Sequence, residues 1–304
     1  MNTATTSTVI PPKMSRWQET WGYIKWFYNP WGAMSAKDIY ELVSTKAFSK
    51  TGLYLNLGYW KEAKTIDEAC VAMARLVSDT AGFGPEDSVV DVGFGFGDQD
   101  MYWVDAHNVK KITGLNITTS QVALARQRVA ERGLTDRIEL LEASATKMPL
   151  PDGAFDKVVG LECAFHFDTR EDFFREAMRV LKPGGRMALA DVIQNDPVPG
   201  KFARRMQVST WNSFVTKYSV PRANADSRAS YAEKLKAAGF INVSVTSIWD
   251  HVYPGLHHYM KTEPEMLKRF HPLARYPYYL MLMFDPRSVF AAYDYVIVSA
   301  DKPA

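Results

Sequence analysis

Five short apolar runs alternate along the chain with segments whose apolar positions recur every three or four residues. A short run rich in Val, Ile and Leu is typical of a strand buried on both faces, whereas the longer period is typical of an amphipathic helix. Such alternation predicts an α/β fold with a doubly wound, mostly parallel sheet. The predicted strands span residues 88–92, 111–117, 137–142, 154–161 and 186–193. The predicted helices span residues 65–80, 99–109, 120–132 and 172–181.

The alternation stops at residue 194, where a stretch begins that contains several prolines, basic residues and the aromatic residues Trp211, Phe214 and Tyr218. We expect residues 194–230 to form a cap inserted over the edge of the sheet. After a further helix, two late strands and an aromatic helical insertion predict that residues 231–304 complete the sheet with an antiparallel C-terminal edge strand. These late elements are expected at residues 231–239, 240–248, 259–279 and 293–299.

The N-terminal part of the chain differs in composition from the alternating part. Residues 1–16 are rich in Thr and predict a flexible tail, without the basic and apolar regions of a signal peptide. Aromatic residues then recur on a helical period between Trp17 and Trp31. We interpret residues 17–64 as a helical lid, although a helix clamped onto the core or a dimer contact would show the same pattern. Residues 65–193 would then form a ligand-binding core.

Three alternating glycines follow the first predicted strand directly. Gly93, Gly95 and Gly97 remove every Cβ from the bend, so a ligand can lie against bare backbone N–H groups. The dinucleotide fingerprint needs its third glycine one position later, where Asp98 stands, which argues against NAD. Asp91 in the same strand favours a ligand with a positively charged amino acid portion over a pyrophosphate. S-adenosylmethionine meets these requirements, whereas an ordinary strand-to-helix turn is the alternative.

The ends of the second and third predicted strands offer side chains for the adenosine part of such a ligand. Asn116 stands where a ribose is bound in related folds, and Gln121 on the next helix can share this role. Ser144 can hydrogen-bond the edge of an adenine, and the small Ala145 lets the flat ring approach. A simple surface turn would explain residues 144 and 145 equally well.

Two further positions are candidates for contact with the cofactor. Tyr59, in a glycine-containing stretch beside Trp60, can place an aromatic ring against a sulfonium by cation–π attraction, although packing alone would explain both rings. Glu162 follows the fourth predicted strand, and we expect it to hold the cofactor or loop backbone instead of taking part in chemistry.

Composition narrows the class of function. The 304 residues are 23% charged and carry a formal net charge of +2, so no basic stripe indicates binding of nucleic acid. The two cysteines, Cys70 and Cys163, have neither metal-ligand nor redox spacing, and we predict no metal site. No apolar segment reaches membrane-spanning length. We therefore expect a cytoplasmic protein that does not bind membranes, with a small-molecule substrate and a possible homo-oligomeric state.

Three segments together resemble the motifs of class I S-adenosylmethionine-dependent methyltransferases: residues 91–97, 155–158 and 180–185. More narrowly, most of the chain is similar to the erythromycin-type sugar O-methyltransferases and related natural-product methyltransferases. That second resemblance is carried by residues 54–60, 91–100, 144–146, 162–174 and 295–300. It implies a Rossmann-like class I fold, S-adenosylmethionine as cofactor and a small apolar or glycosylated acceptor. The family usually has a carboxylate at the ribose position, and Asn116 departs from it.

Transfer of a methyl group to a hydroxyl requires an aligned acceptor and removal of its proton. His166 is the predicted general base, because it follows the fourth strand and imidazole titrates near neutral pH, although packing between Phe165 and Phe167 would also explain it. Asp191, at the end of the fifth strand, is predicted to orient that imidazole or to act as a second base, although a residue of an ordinary strand-end turn would also explain it.

Two alternatives to O-methylation stay open at the level of sequence. A C-methyltransferase acting on a prenyl diphosphate or other alkene would hold a carbocation against aromatic faces, and would need basic residues or Mg²⁺ for the diphosphate. The many aromatic residues favour this alternative, whereas the lack of an evident acidic cluster disfavours it. A cyclase-like or non-catalytic protein could also keep the cofactor pocket as a structural element only.

Overall fold

Within the described residues, the apolar runs form one seven-stranded sheet covered by helices. The computed structural model describes residues 14–28, 34–43 and 49–304. The strands are β1 (Ser88–Val92), β2 (Lys111–Asn116), β3 (Ile138–Glu142), β4 (Phe155–Leu161), β5 (Leu181–Gln194), β6 (Ile241–Ser247) and β7 (Tyr293–Asp301). The helices are α1 (Arg16–Tyr28), α2 (Ala36–Val43), α3 (Ile66–Ala81), α4 (Asp98–His107), α5 (Thr119–Glu131), α6 (Arg170–Val180), α7 (Lys201–Lys217), α8 (Arg228–Ala237), α9 (Tyr253–Thr262), α10 (Pro264–Lys268), α11 (Pro272–Met281) and α12 (Pro286–Val289).

The strand order is β3-β2-β1-β4-β5-β7-β6, and the predicted fold class is confirmed. Strands β1 to β5 pair in parallel, whereas β7 is antiparallel to both of its neighbours. The antiparallel strand therefore lies between β5 and β6, and β6 is the outermost strand at that end. The order reverses between β1 and β4, where sheets of this type bind ligands beyond the carboxyl ends of their strands.

Strand β1 reads as a continuous apolar run because both faces of the sheet are covered. Val89 packs in one hydrophobic cluster with residues of α3, α4 and α5, and its neighbour Val90 packs in a second cluster with residues of α6 and α8. Side chains alternate between faces along a strand, so adjacent valines enter different clusters.

The helix ends follow ordinary capping rules, with one difference from the prediction. Thr65 caps α3 by accepting a hydrogen bond from the Glu68 N–H at 3.2 Å. The sequence predicts that α5 starts at residue 120, but this helix begins at Thr119 and Thr118 is its N-cap. The Thr118 N–H donates instead to Asn116 Oδ1 at 3.1 Å, which ties the start of α5 to the end of β2.

Residues 194–230 are more regular than their composition suggests, because they contain the 17-residue helix α7. Together with the N-terminal helices, this region packs on the C-terminal helices. A third hydrophobic cluster joins α1 and α2 to α9, α10 and α11, and the indole of Trp26 donates to the Lys217 carbonyl at 2.7 Å. Their roles as lid and cap stay predictions. Residues 1–13 of the predicted tail and residues 29–31 of the aromatic stretch lie outside the described residues.

Candidate active site

The glycine bend forms one wall of a cavity of about 250 Å³ at the ends of β1 to β4, which we call the strand-end cavity. Gly93, Gly95 and Gly97 all have positive φ, at +74°, +57° and +78°. A Cβ on Gly93 would lie 2.5 Å from the Cβ of Cys163, so a side chain cannot be accommodated there. Gly93 and Gly95 line the cavity, whereas Gly97 is the N-cap of α4 behind it.

The structure brings most of the predicted site residues together at the strand-end cavity. Those that line it are Gly93, Gly95, Asn116, Gln121, Ser144, Ala145, Glu162 and His166. Those that do not line it are Tyr59, Asp91, Gly97 and Asp191. Because strands β1 to β4 run in parallel, residues that are far apart in sequence meet at their carboxyl ends.

Asn116 and Gln121 form a buried amide pair on the cavity wall. Asn116 Nδ2 donates to Gln121 Oε1 at 2.9 Å, so the Gln121 carbonyl is occupied. Gln121 Nε2 is buried and has no hydrogen-bond partner within the part of the chain that the structure describes. A buried amide N–H without a partner is costly, and a ligand that accepts from it would remove that cost.

The end of β3 contributes a short polar turn. Ser144 Oγ lies 2.9 Å from Thr146 Oγ1 and accepts from the Thr146 N–H at 3.2 Å. Ala145 between them is small and buried. The turn therefore presents backbone and the two hydroxyls of Ser144 and Thr146 to the cavity, with little side-chain bulk.

Asp91, which the sequence predicts to favour the charged portion of the ligand, does not line the strand-end cavity. Asp91 is fully buried beneath the bend, where its Oδ2 accepts from Gln99 Nε2 at 2.8 Å. Burial and the neighbouring Asp100 carboxyl raise the pKa of Asp91 well above its usual value. Burial likewise raises the pKa of Asp100 to about 7. The hydrogen-bond partner of Asp91, Gln99, lines the cavity.

Tyr59 also lies elsewhere than predicted. Its ring makes an edge contact with His251, with 5.4 Å between the ring centroids, and its N–H donates to the Ala69 carbonyl. Tyr40 of α2 and Tyr54 line the cavity instead. The aromatic stretch around residues 54–60 could have indicated Tyr54, but no local signal in α2 distinguishes Tyr40.

A second cavity of about 180 Å³ is lined mainly by aromatic and aliphatic side chains, and we call it the aromatic cavity. It shares Tyr40, Leu55 and Glu162 with the strand-end cavity. Its other lining residues come from α1, α2, α7, α11, β5 and loops: Tyr23, Trp26, Phe27, Ile39, Val43, Leu57, Phe165, Val192, Phe214, Tyr218, Phe270, Ala274 and Tyr278. Among the described residues, neither cavity is lined by Lys or Arg.

Glu162 lies in the wall that the two cavities share. Its φ of +52° is a left-handed conformation that non-glycine residues adopt rarely. Its Oε1 accepts from the Leu57 N–H at 2.6 Å and from the Tyr295 hydroxyl at 2.5 Å. Burial nevertheless raises the pKa of Glu162 to about 7, so this carboxyl titrates near neutral pH.

His166 ends a 3₁₀ turn after β4 and lines the strand-end cavity. Its Nε2 lies 3.0 Å from the Tyr40 hydroxyl, and its ring packs against Phe165 at a centroid distance of 4.0 Å. Burial lowers the pKa of the imidazole to about 3. His166 is therefore neutral near pH 7 and accepts a proton only weakly.

Asp191 does not contact His166, and the predicted pairing of these two side chains is wrong. Its carboxylate is fully buried and accepts from Arg170 Nε at 3.0 Å and from the Tyr231 hydroxyl at 3.1 Å. It also accepts from the Phe165 N–H at 3.1 Å. Asp191 thus fixes the turn that carries His166 and has no direct access to either cavity.

The described residues contain neither a metal-binding cluster nor a membrane-spanning helix. Within residues 14–28, 34–43 and 49–304, no group of three or more His, Cys, Asp or Glu side chains could hold a metal ion. Over the same ranges, no helix has the length and apolar character needed to cross a membrane.

Comparison with known proteins identifies the family. Residues 90–189 match the methyltransferase domain family. The chain is 35% identical over 277 residues to erythromycin 3''-O-methyltransferase from Saccharopolyspora erythraea, in an alignment that covers 88% of this chain and 90% of that relative. The chain belongs to the class I S-adenosylmethionine-dependent methyltransferases. This methyltransferase therefore uses S-adenosylmethionine, as the resemblance of its motifs implied.

Solved structures agree on the fold. The [4+2]-cyclase SpnF aligns with a TM-score of 0.67 at 23% identity, over 90% of this chain and 98% of that chain. Geranyl diphosphate C-methyltransferase from Streptomyces coelicolor A3(2), solved with Mg²⁺, geranyl diphosphate and S-adenosyl-L-homocysteine, aligns with a TM-score of 0.66 at 17% identity, over 89% of this chain and 99% of that chain. At these identities the likeness concerns the fold alone.

The strand-end cavity fits the cofactor on two structural observations. Gly93 and Gly95, which carry no side chain, present bare backbone to the cavity. The unpartnered Gln121 Nε2 offers a donor of the kind that ribose hydroxyl oxygens accept. When bound, S-adenosylmethionine supplies a methyl group on a positively charged sulfur.

Proposed function

We propose that this methyltransferase transfers a methyl group to a hydroxyl oxygen of a neutral, largely apolar small molecule of the natural-product type. The observation that carries the proposal is the aromatic cavity, which opens beside the strand-end cavity and shares Tyr40, Leu55 and Glu162 with it. An acceptor held among aromatic side chains would lie next to the cofactor, with the Glu162 carboxyl in the shared wall. The similarity to erythromycin 3''-O-methyltransferase supports transfer to oxygen.

In this proposal the strand-end cavity holds the cofactor through the residues that line it. Gly93 and Gly95 present backbone to the amino acid portion, as bends without side chains do. Asn116 and Gln121 bind the ribose, with Gln121 Nε2 donating to a hydroxyl oxygen. Ser144 and Ala145 border the adenine, where one hydroxyl and a small side chain suit the edge of a flat ring.

The proposed part of His166 differs from that of the general base expected from sequence. A neutral imidazole whose pKa lies near 3 is a poor proton acceptor at neutral pH. Its Nε2, 3.0 Å from the Tyr40 hydroxyl, instead fixes the position of a side chain in the wall that both cavities share. We therefore assign His166 the role of positioning Tyr40.

C-methylation of a prenyl diphosphate is the second candidate function. The aromatic walls favour it, because aromatic faces stabilise a carbocation. The absence of Lys and Arg among the described lining residues disfavours binding of a diphosphate.

A cytoplasmic location, a homo-oligomeric state and a glycosylated acceptor stay predictions.

Mass spectrometry of products formed from isotope-labelled S-adenosylmethionine tests the proposal. The acceptor panel contains neutral phenols, hydroxylated macrolide glycosides and prenyl diphosphates, with and without Mg²⁺. We expect the label on oxygen of a neutral acceptor, without dependence on Mg²⁺. A label on carbon of a prenyl diphosphate would replace this function with the second candidate. Absence of S-adenosylhomocysteine release with every acceptor would contradict both.

A further inference from the structure

The wall shared by the two cavities is where the methyl donor and the acceptor must meet. Three described residues line both cavities: Tyr40, Leu55 and Glu162. Leu55 has no polar side-chain atom, and burial raises the pKa of the Tyr40 hydroxyl far above neutral. Of these three residues, Glu162 is therefore the one whose side chain can take up a proton near neutral pH.

The hydrogen bonds of Glu162 leave one carboxyl oxygen available. Leu57 N–H and the Tyr295 hydroxyl both donate to Oε1, and the Glu162 N–H donates to the Ala190 carbonyl at 2.8 Å. Oε2 receives no hydrogen bond from the residues that the structure describes. The side chain is thus fixed in place through one oxygen while the other is free to bind a substrate hydroxyl.

The neighbouring tyrosines and cysteines do not compete with Glu162 for a proton at neutral pH, because burial raises the pKa of each of them and they stay protonated. Burial also raises the pKa of Asp191, but this carboxylate is paired with Arg170 and lines neither cavity. The groups that face Glu162 are Tyr40 of α2, Cys70 of α3, Cys163, Asp191 of β5, Tyr253 of α9 and Tyr295 of β7.

We propose that Glu162 is the catalytic base of the reaction and accepts the proton of the acceptor hydroxyl at Oε2. This inference rests on the proposed O-methylation. The acceptor oxygen forms the new O–CH₃ bond while the S–CH₃ bond breaks and leaves its electron pair on sulfur. The hydroxyl proton moves to Glu162 Oε2 and is later lost to solvent, so atoms and charge balance.

The positive charge of the sulfonium, which is lost on methyl transfer, explains why Glu162 would gain the proton at that step. A sulfonium beside the carboxylate favours its ionised form, so the enzyme with bound donor has Glu162 ready to accept a proton. When the methyl group leaves, that positive charge disappears and the proton affinity of Glu162 rises. The base is therefore weak before transfer and stronger after it, as the leaving proton requires.

Binding calorimetry tests the position of Glu162 without any acceptor. Titrations at pH 7 in buffers of different ionisation enthalpy give the number of protons released when S-adenosylmethionine or S-adenosylhomocysteine binds. With a pKa of about 7, wild type should release up to about half a proton more with the sulfonium ligand than with its neutral product. Glu162→Gln should abolish this difference, whereas Glu86→Gln, at an exposed carboxyl outside both cavities, should retain it.

The pH profile of kcat tests the chemical role. We expect Glu162→Gln to lower kcat by ~100-fold or more and to remove the acidic limb of the profile. His166→Asn should retain that limb. Glu162→Asp keeps a carboxylate and should retain the proton release with reduced kcat, which guards against a glutamine variant that fails to fold.

An equal proton difference in wild type and Glu162→Gln, or an unchanged acidic limb in that variant, would overturn the assignment of the base. Failure of the proposed function has a different signature, because the methyl label would appear on carbon while the calorimetric difference persisted.

Discussion

The strand-end cavity and the aromatic cavity differ in the parts of the chain that form their walls. The first is bordered by the backbone bend at Gly93 and Gly95 and by the ends of four neighbouring parallel strands. The second is bordered mainly by side chains from α1, α2, α7 and α11, which are far apart in sequence. The cofactor side therefore depends on backbone geometry, whereas the acceptor side depends on how separate helices pack together.

This difference has a consequence for specificity. A wall made of backbone can change little without altering the sheet, because its shape follows from strand register and positive φ angles. A wall made of side chains on peripheral helices can change one residue at a time and still keep the sheet intact. Substitutions on the two sides should therefore affect different measurements, and three variants test this.

The largest effect is expected from Gly93→Ala on the cofactor side. The new Cβ would lie 2.5 Å from the Cys163 Cβ, at a residue whose φ is +74°. Overlap and backbone strain together should weaken binding of S-adenosylmethionine by ~100-fold or more, measured by calorimetry.

Gly133→Ala is the matched control for backbone strain. Gly133 also has positive φ, at +66°, but a Cβ there would have no atom within 4 Å beyond its own chain neighbours, and the residue is outside both cavities. The substitution should lower the free energy of unfolding by ~1 kcal/mol and leave cofactor affinity unchanged. Equal affinities for the two alanine variants would show that the cavity does not depend on the bend.

The difference between the two cavity walls, one of backbone and one of side chains, also explains how much could be predicted from the sequence. The glycine bend and the strand ends at Asn116 and Ser144 carry their signal within a few neighbouring residues, and the parallel topology then brings them together. Tyr40 carries no such signal, because its place in the shared wall depends on the packing of α2. The depth of Asp91 below the bend is likewise a property of packing, since its position in the sequence is the same whether it faces ligand or Gln99.

The surroundings of the two predicted catalytic residues could not be predicted from the sequence for a related reason. His166 follows β4 as predicted. Burial lowers its pKa, however, and its Nε2 lies within hydrogen-bond distance of the Tyr40 hydroxyl. Asp191 lies at the end of a strand as predicted, yet its partner is Arg170 from α6. Sequence position indicates which side chains reach the region, whereas their electrostatic surroundings come from elements distant in the chain.

An intermediate effect is expected from Phe214→Ala on the acceptor side. Phe214 of α7 lines the aromatic cavity and contacts Phe165 and Tyr218, with centroid distances of 5.8 Å and 4.8 Å. Loss of its ring should raise KM for the acceptor found in the labelled panel by ~10-fold, because less apolar surface is removed from water on binding. Affinity for S-adenosylmethionine should not change.

Phe202→Ala provides the control on the same helix. Phe202 is 79% exposed and lines neither cavity, so the acceptor KM should stay at the wild-type value. If Phe214→Ala instead weakened binding of the cofactor and left KM unaltered, the division between the two cavities would be incorrect.

The smallest effect is expected from Gln121→Ala, which removes a single proposed hydrogen bond to the cofactor. Gln121 Nε2 is a buried donor in the cavity wall without a partner among the described residues, and a neutral hydrogen bond contributes about 1 kcal/mol. Affinity for S-adenosylhomocysteine should fall ~5-fold by calorimetry, whereas Gln127→Ala, at an exposed amide on the same helix, should bind as wild type does. A 2′,3′-dideoxy analogue identifies the contact. Wild type should bind this analogue more weakly than S-adenosylhomocysteine, and Gln121→Ala should discriminate less between the two ligands. Undiminished discrimination would assign recognition of the ribose to other residues, because Gln121 would then contribute nothing that depends on the hydroxyl groups.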